Sequence, residues 1–436
     1  MTLPSVTIVG GGLAGSEAAL FLAQAGVSCR LVEMRPERST PAHETSDLAE
    51  LVCSNSLRSN DPLTAAGMLK EELALLESPL LALAVQHEVP AGSALAVDRR
   101  GFSRAVTVAV GEHPLIQLER HEANRIPDDP CVILAPGPLA SHSLMQTVSE
   151  VVGKEHLFFF DAIAPIVDAD SLDMDQLFSA SRYDKGDPDY LNSVFSREQY
   201  FAFVEALIQG EKFVPHGFDA TDKLPLFQGC QPVEAIAASG PRSLSFGPMK
   251  PKGIVDPVTG RMPYAVVQLR AENRQRTAFN LVGFQTRLVQ SEQRRVFRMI
   301  PGLERAEFLR YGALHRNSYL DGPRVLNLDL SLKADARVHV AGQFAGAEGY
   351  IESLALGHLC ARFVLSKLQG QPPHLPPPET AIGSLWHHVT QSTTCPLEPS
   401  NIHFGLLPPV DAKGKRPKRQ AMLERGRVAM GAYLAG

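Results

Sequence analysis

Apolar positions change period twice within the first thirty residues. Val6 to Val9 is a short continuous apolar run, the pattern of a strand buried on both faces. From Leu13 to Ala25 apolar residues recur at helical spacing, through Leu20, Phe21 and Leu22, and Gly26 ends the run. Cys29 to Val32 returns to a strand pattern and finishes at Glu33. Further on, Gly101 to His113 has the period of an amphipathic helix. Leu115 to Arg120 and Glu122 to Ile126 are expected to form a hairpin pair, followed by a buried strand in Cys131 to Leu139. Val338 to Glu352 predicts a strand, a Gly-rich turn and a helix running to about Leu368. Gln371 to Pro378 is a Pro-rich extended linker, with a short helix holding Trp386 and a loop-rich tail expected after it.

The turn between the first strand and helix carries chemistry. Gly10-x-Gly12-x-x-Gly15 follows a strand and opens a helix, with Ala18 three residues on. Gly10 permits the tight turn, Gly12 lets backbone approach a pyrophosphate, and Gly15 and Ala18 let helix and sheet close up. Gly11, Leu13 and Ala14 complete the loop, whose unpaired N–H groups face the phosphates. Glu33 stands where an acid accepts hydrogen bonds from ribose hydroxyls. These features predict a dinucleotide site without separating FAD from NAD. Two later segments favour FAD. Ala135-Pro136-Gly137 ends a strand where flavoproteins often carry Ala-Thr-Gly, with Pro136 as a departure. Gly342 and Gln343 begin a turn whose following helix would aim its N-terminus at a flavin. The fold class expected is α/β: a Rossmann-like, glutathione-reductase-like FAD domain with an inserted α+β domain. Residues 1–148 form its first part, 149–325 the insertion and 326–436 its second part, with the linker and a basic tail.

Composition sets the remaining limits. At 436 residues the chain has room for two or three domains, and 44% hydrophobic with 20% charged residues excludes disorder. No apolar run is long enough to span a bilayer, and the N-terminus lacks the pattern of a signal peptide. The six cysteines are too widely spaced for a metal knuckle or compact disulfide framework, so a reduced, cytoplasmic protein without a bound metal is expected. Net charge is -5, but it is unevenly spread. Arg242 to Arg316 holds 14 Lys/Arg against 5 Asp/Glu, and Glu150 to Gln199 holds 4 against 11. Asp411 to Arg427 holds 7 against 2. Such segregation suits either a polyanion-binding face or two faces that neutralise each other across a domain contact.

Two cysteines stand in reactive surroundings. Cys53, in LVCSNSLRSN, has Asn55, Ser56, Arg58 and Ser59 close by as donors that lower a thiol pKa; a small buried residue is the alternative. Cys230, between Gly229 and Pro232 and ahead of a helix starting near Val233, is either an activated thiolate or an inert cysteine. The stretch GPRSLSFGPMKPKGIVDP after it has the punctuation of a binding loop. His315 and His358 fall near the expected site but read more simply as packed histidines.

Five segments stand together: GGGLAGSEAA at Gly10, HETSDLAELVCSNSLRS at His43, FQGCQPVEAIAASG at Phe227, FGPMKPKG at Phe246 and VAGQFAGAEGYIESLALG at Val340. With NIHFGLLPP at Asn401, they closely resemble the folate- and FAD-dependent tRNA (uracil-5-)-methyltransferase family over nearly the whole chain. The resemblance implies transfer of one carbon from methylenetetrahydrofolate to uridine C5 at position 54 in the tRNA T-loop. Reduced FAD supplies two electrons and NAD(P)H recharges it. It makes Cys230 the nucleophile at uracil C6 and Cys53 a second essential thiol beside the flavin. Glu348 and Tyr350 become candidates for folate contact. Lys250, Lys252, Arg294, Arg295, Lys415, Arg416, Lys418 and Arg419 become candidates for tRNA phosphate contact. No obligate protein partner is evident. The related wobble-uridine-modifying flavoprotein shares several motifs but is longer, and a small-molecule flavin oxidoreductase is the remaining alternative.

Overall fold

The computed structural model describes residues 5–40, 42–153, 159–162, 164–184, 187–213, 231–272, 276–312, 314–393, 397 and 399–435. A five-stranded parallel sheet runs in the order Val338–Val340, Val132–Leu134, Val6–Val9, Cys29–Glu33, Ile116–Arg120. The first strand is central and buried throughout, which is why it reads as an uninterrupted apolar run. The helix Leu13–Gln24 follows it, and the helix Tyr350–Leu368 packs against that helix from the far end of the chain. Their crossing is close because both sides are small at the contact. A Cβ at Gly357 would stand 2.5 Å from the Ala14 carbonyl oxygen.

One hydrophobic core gathers residues from Val6 to Val148 and from Leu320 to Tyr433. A second gathers Val167 to Ala306 around a six-stranded antiparallel sheet. That sheet is ordered Phe178–Ser179, Leu191–Phe195, Ala265–Ala271, Ala278–Leu281, Ile166–Asp168, Phe308–Arg310. The architecture is therefore the mixed α/β arrangement expected, with a parallel sheet whose last strand arrives late in the chain.

Three expectations need correction. Glu122 to Ile126 is not a strand, so there is no hairpin with Ile116–Arg120. That strand pairs in parallel with Cys29–Glu33 at the sheet edge. Glu122 instead accepts from Arg38 at 2.6 Å and from the Ser143 hydroxyl at 2.7 Å, which ties the segment to the helix capped by Ser141. The tail is irregular only as far as Gly414 among the described residues, and Lys415–Ala435 is a helix that was not expected. Leu423, Met430 and Tyr433 bury one side of it against the first core, and Pro417 lies in its first turn, where a missing N–H costs nothing. The amphipathic helix spans Arg99–Gly111, starting two residues early because the Asp98 side chain caps the Gly101 N–H at 2.9 Å.

The close crossing yields a test. Gly357→Ala adds a methyl group against immovable backbone, so overpacking of about 1–3 kcal/mol should outweigh the helical gain. Gly431→Ala adds one where nothing lies within 4 Å and should stabilise by about 0.5–1 kcal/mol. Urea denaturation of both variants checks the opposite signs.

Candidate functional site

The glycine turn forms one wall of a deep cleft. Gly10 has φ +103°, a conformation that other residues rarely adopt. At Gly15 a Cβ would stand 1.9 Å from the Gly10 carbonyl oxygen, so helix and turn meet without room for a side chain. A Cβ at Gly12 would meet nothing within 4 Å, and Gly12 lines the cleft together with Leu13 and Ala14. The turn is thus packed where the protein closes and open where a ligand would lie.

Glu33 lines the same cleft, but both its oxygens are already engaged. Gly11 N–H donates to Oε2 at 2.8 Å, and Arg35 donates to Oε1 from its N–H at 3.0 Å and its Nε at 2.8 Å. Burial pushes the Glu33 carboxyl up, but the Arg35 charge and these hydrogen bonds outweigh it and hold the group below its ordinary value. Arg35, only 2% exposed, also donates to Glu50 at 3.1 Å. His43 joins this wall, its pKa lowered to about 4 by burial and by the Arg35 charge. Arg35 and Glu50 were not singled out from sequence; HETSDLAE, with Glu50 as its last residue, was the available signal.

The cleft is lined further by Gly137, Gly342, Gln343, Glu348, Gly349, Tyr350 and Cys53. Gln343 donates to Glu348 Oε2 at 2.9 Å. Gly349 caps the helix Tyr350–Leu368, whose N-terminus therefore opens on the cleft. The Tyr350 hydroxyl accepts from the Cys53 N–H at 2.7 Å and the Ser54 N–H at 3.2 Å, and lies 2.9 Å from Cys53 Sγ. That contact is a hydrogen bond in which either the hydroxyl or the thiol can donate. Burial pushes the Tyr350 pKa well up, which keeps the phenol protonated.

The donors expected around Cys53 point elsewhere. Asn55 donates to Val97 O at 3.1 Å and Ala271 O at 2.9 Å, and accepts from Arg270 at 2.8 Å. Arg58 pairs with Glu352 at 2.5 Å, and the Ser56 hydroxyl accepts from the Arg58 N–H at 3.0 Å. Tyr350, far away in sequence, is the side chain that meets the sulfur. Cys230 lies outside the described residues, as does Cys395; the helix after Cys230 spans Val233–Ala238, as expected. His358 is a packed residue, fully buried with Nδ1 2.8 Å from Glu17. The side chain of His315 is likewise outside the description. Among the described residues no group of His, Cys, Asp or Glu is arranged to hold a metal ion.

The basic candidates divide. Lys250, Lys252, Arg294, Arg295, Arg416 and Lys418 are exposed, with Arg294 donating to the Tyr311 hydroxyl at 2.7 Å and Arg295 paired with Glu292 at 2.5 Å. Arg419 lies over the Phe404 ring, and nothing is described of the Lys415 side chain. Other arginines of the basic segment are spent on the contact between the two cores: Arg270 reaches Ser54 at 2.6 Å, and Arg310 reaches Ala42 O and Glu44.

Residues 5–372 match the family model described as glucose inhibited division protein A. A methylenetetrahydrofolate–tRNA-(uracil-5-)-methyltransferase TrmFO of Rhodospirillum rubrum is 51% identical over 431 residues, covering 97% of this chain and 89% of that protein. Its counterpart of the same name in Geobacter sulfurreducens is 50% identical over 433 residues, covering 99% of each. Among solved structures, Aquifex aeolicus GidA superposes with a TM-score of 0.69 at 14% identity, covering 98% of this chain and 76% of that one, which establishes a common fold.

The cysteine environments predict a labelling order. Burial pushes Cys29 up to about 12 and Cys131 up to about 11, and Cys360 well above its ordinary value. Cys53 lines the cleft and is half-buried. Iodoacetamide at neutral pH should alkylate Cys53 in the native protein well before Cys29, Cys131 or Cys360. Peptide mapping by mass spectrometry reads the order, and labelling of Cys131 or Cys360 first would contradict it.

Proposed function

The chain belongs to the glucose inhibited division protein A family and, within it, to the methylenetetrahydrofolate–tRNA-(uracil-5-)-methyltransferases, and on that premise we propose that it methylates C5 of uridine 54 in the tRNA T-loop. Methylenetetrahydrofolate is the one-carbon donor and NAD(P)H the source of electrons. The observation that carries this reading is a single cleft lined both by the glycine turn and by Cys53 with its Tyr350 partner.

FAD fits the residues present. The open position at Gly12 leaves room for a pyrophosphate, while the turn around it is closed by backbone contacts. Gly10 to Gly15, Glu33, Gly137, Gly342 and Gln343 would hold it. The flavin supplies the two electrons that turn a carbon at the formaldehyde level into a methyl group. Everything else falls to the chain. Cys230 is the proposed nucleophile at uracil C6, because addition there makes C5 an enolate carbon able to attack. Cys53 is the second thiol, held beside the cofactor by Tyr350. Glu348 and Tyr350 form the wall against which folate would lie. Lys250, Lys252, Arg294, Arg416 and Lys418 are the proposed phosphate contacts, with Arg295, Lys415 and Arg419 in support. In this reading residues 1–148 and 326–436 form the flavin domain, 149–325 the RNA-side insertion, and the enzyme works in the cytoplasm.

Incubation with unmodified tRNA, labelled methylenetetrahydrofolate and NADH should place label in 5-methyluridine; its absence there would remove the proposal. Gly12→Val fits the protein but not a pyrophosphate, so the purified variant should keep its circular dichroism spectrum and be colourless. A yellow variant with full flavin content would refute the placement. Cys230→Ala should still bind FAD but lose the covalent adduct that 5-fluorouridine-containing tRNA forms with the wild type. A wild-type yield of adduct from that variant would move the nucleophile's role to Cys53.

A further inference from the structure

We propose that Phe246, backed by Arg242, is a stacking platform for an unstacked base of the RNA substrate. Phe246 is 73% exposed, the most exposed aromatic side chain among the described residues. Its position is not a loose one. It ends the short helix Ser243–Phe246, whose neighbours Leu244 and Met249 are fully buried in the second core. The Ser245 N–H donates to the Tyr200 hydroxyl at 3.2 Å, and the Met249 N–H to Leu244 O at 2.8 Å. The backbone is thus fastened from beneath while the ring faces solvent.

The surroundings favour a polyanion with aromatic units over an apolar partner. The Arg242 guanidinium lies over the Phe246 ring, 5.4 Å from its centroid, and the residue is still mostly exposed. Lys250 and Lys252 follow in the same loop, both exposed. The loop beneath them is held in shape by Arg182, which donates to Lys250 O at 2.6 Å and Lys252 O at 3.1 Å. A π face beside three cations on a fixed loop matches the way proteins bind unpaired nucleotides, by stacking the base and neutralising the phosphates.

The location fits the reaction. The helix Ser243–Phe246 packs on the helix Val233–Ala238, which begins three residues after Cys230 in the sequence. A thiol cannot reach C6 of a base that remains in its stack, so a target uridine must be drawn out. An exposed aromatic side chain on this surface can stack against a base displaced in that process. The inference rests on tRNA being the substrate, and adds a residue that phosphate contacts alone would not require.

The test uses the full-length, flavin-loaded protein and unmodified tRNA. Phe246→Ala should weaken tRNA binding by roughly five- to a hundred-fold, with KM for tRNA rising more than kcat falls. Phe246→Trp should bind within a fewfold of wild type, whereas Phe246→Leu, apolar but without a π face, should behave like alanine. The salt dependence of binding should keep its slope in Phe246→Ala and become shallower in a Lys250→Ala, Lys252→Ala double variant. Val258→Ala, at a position 91% exposed, serves as a surface control and should stay within about twofold of wild type. Unchanged tRNA affinity in Phe246→Ala, with wild type methylating tRNA normally, overturns the platform and leaves the proposed function standing. Failure of wild type to bind or label tRNA overturns both. A change of oligomeric state on Phe246→Ala, with RNA affinity intact, would mark the surface as a protein contact and also overturns the platform.

Discussion

The cleft depends on one close approach of backbone to backbone at Ala14. A Cβ at Gly342 would stand 2.6 Å from Ala14 Cβ, and one at Gly357 2.5 Å from its carbonyl oxygen. The first turn of the helix Leu13–Gln24 is therefore gripped by a turn and a helix more than 300 positions later in the chain. Neither side has spare volume, so the grip is specific in register as well as in distance. Until Val338–Val340 pairs with Val132–Leu134, the wall carrying Gly342 and Tyr350 has no place to stand. The cleft walls are thus assembled from segments far apart in the chain, the non-local kind of contact that carries a loop-closure cost.

What the sequence makes legible is what local physics determines. The period changes at Val6, Leu13 and Cys29 give strand, helix and strand at the positions observed. The helix ending at Leu368 is equally plain, because a Gly-rich turn precedes it and apolar residues fill it. Failures begin where pairing is remote. Ile116–Arg120 carries polar residues at Gln117 and Glu119 and looks like half of a hairpin, yet its partner lies some ninety positions upstream. The terminal helix is missed because Leu423, Met430 and Tyr433 are too sparse to show a period beside a run of charges and Pro417.

The same division holds in the site. Glycines and Cys53 can be picked out by residue type, because turn geometry and thiol chemistry restrict the choice. Their partners cannot. The hydroxyl that meets Cys53 comes from Tyr350, 297 positions away. Arg35 at Glu33 and Arg270 at Asn55 look, in sequence, like ordinary surface charges. Counting charge along the chain also merges two uses of arginine. Arg270 and Arg310 serve the contact between cores, so the local surplus exceeds the charge left for a polyanion.

That contact ties the inserted sheet to the loop that carries Cys53. The strand Ala265–Ala271 ends on the residues flanking Cys53: Ala271 O accepts from Asn55, and Arg270 donates to Asn55 and Ser54. One residue further, Glu272 pairs with Arg99 at 2.7 Å, and Arg99 donates to Leu51 O at 2.6 Å on the other side of the same loop. Burial alone would lower the Arg99 pKa, yet the Glu272 charge outweighs it and raises the group above its ordinary value. A buried charge pair with hydrogen bonds to backbone tolerates little displacement, because separating the charges leaves each uncompensated. The Cys53 loop is consequently clamped from two sides by one strand end of the inserted sheet. Any shift of that sheet is passed to the sulfur through short, stiff contacts, and the cleft wall carrying Tyr350 must follow for their 2.9 Å contact to survive.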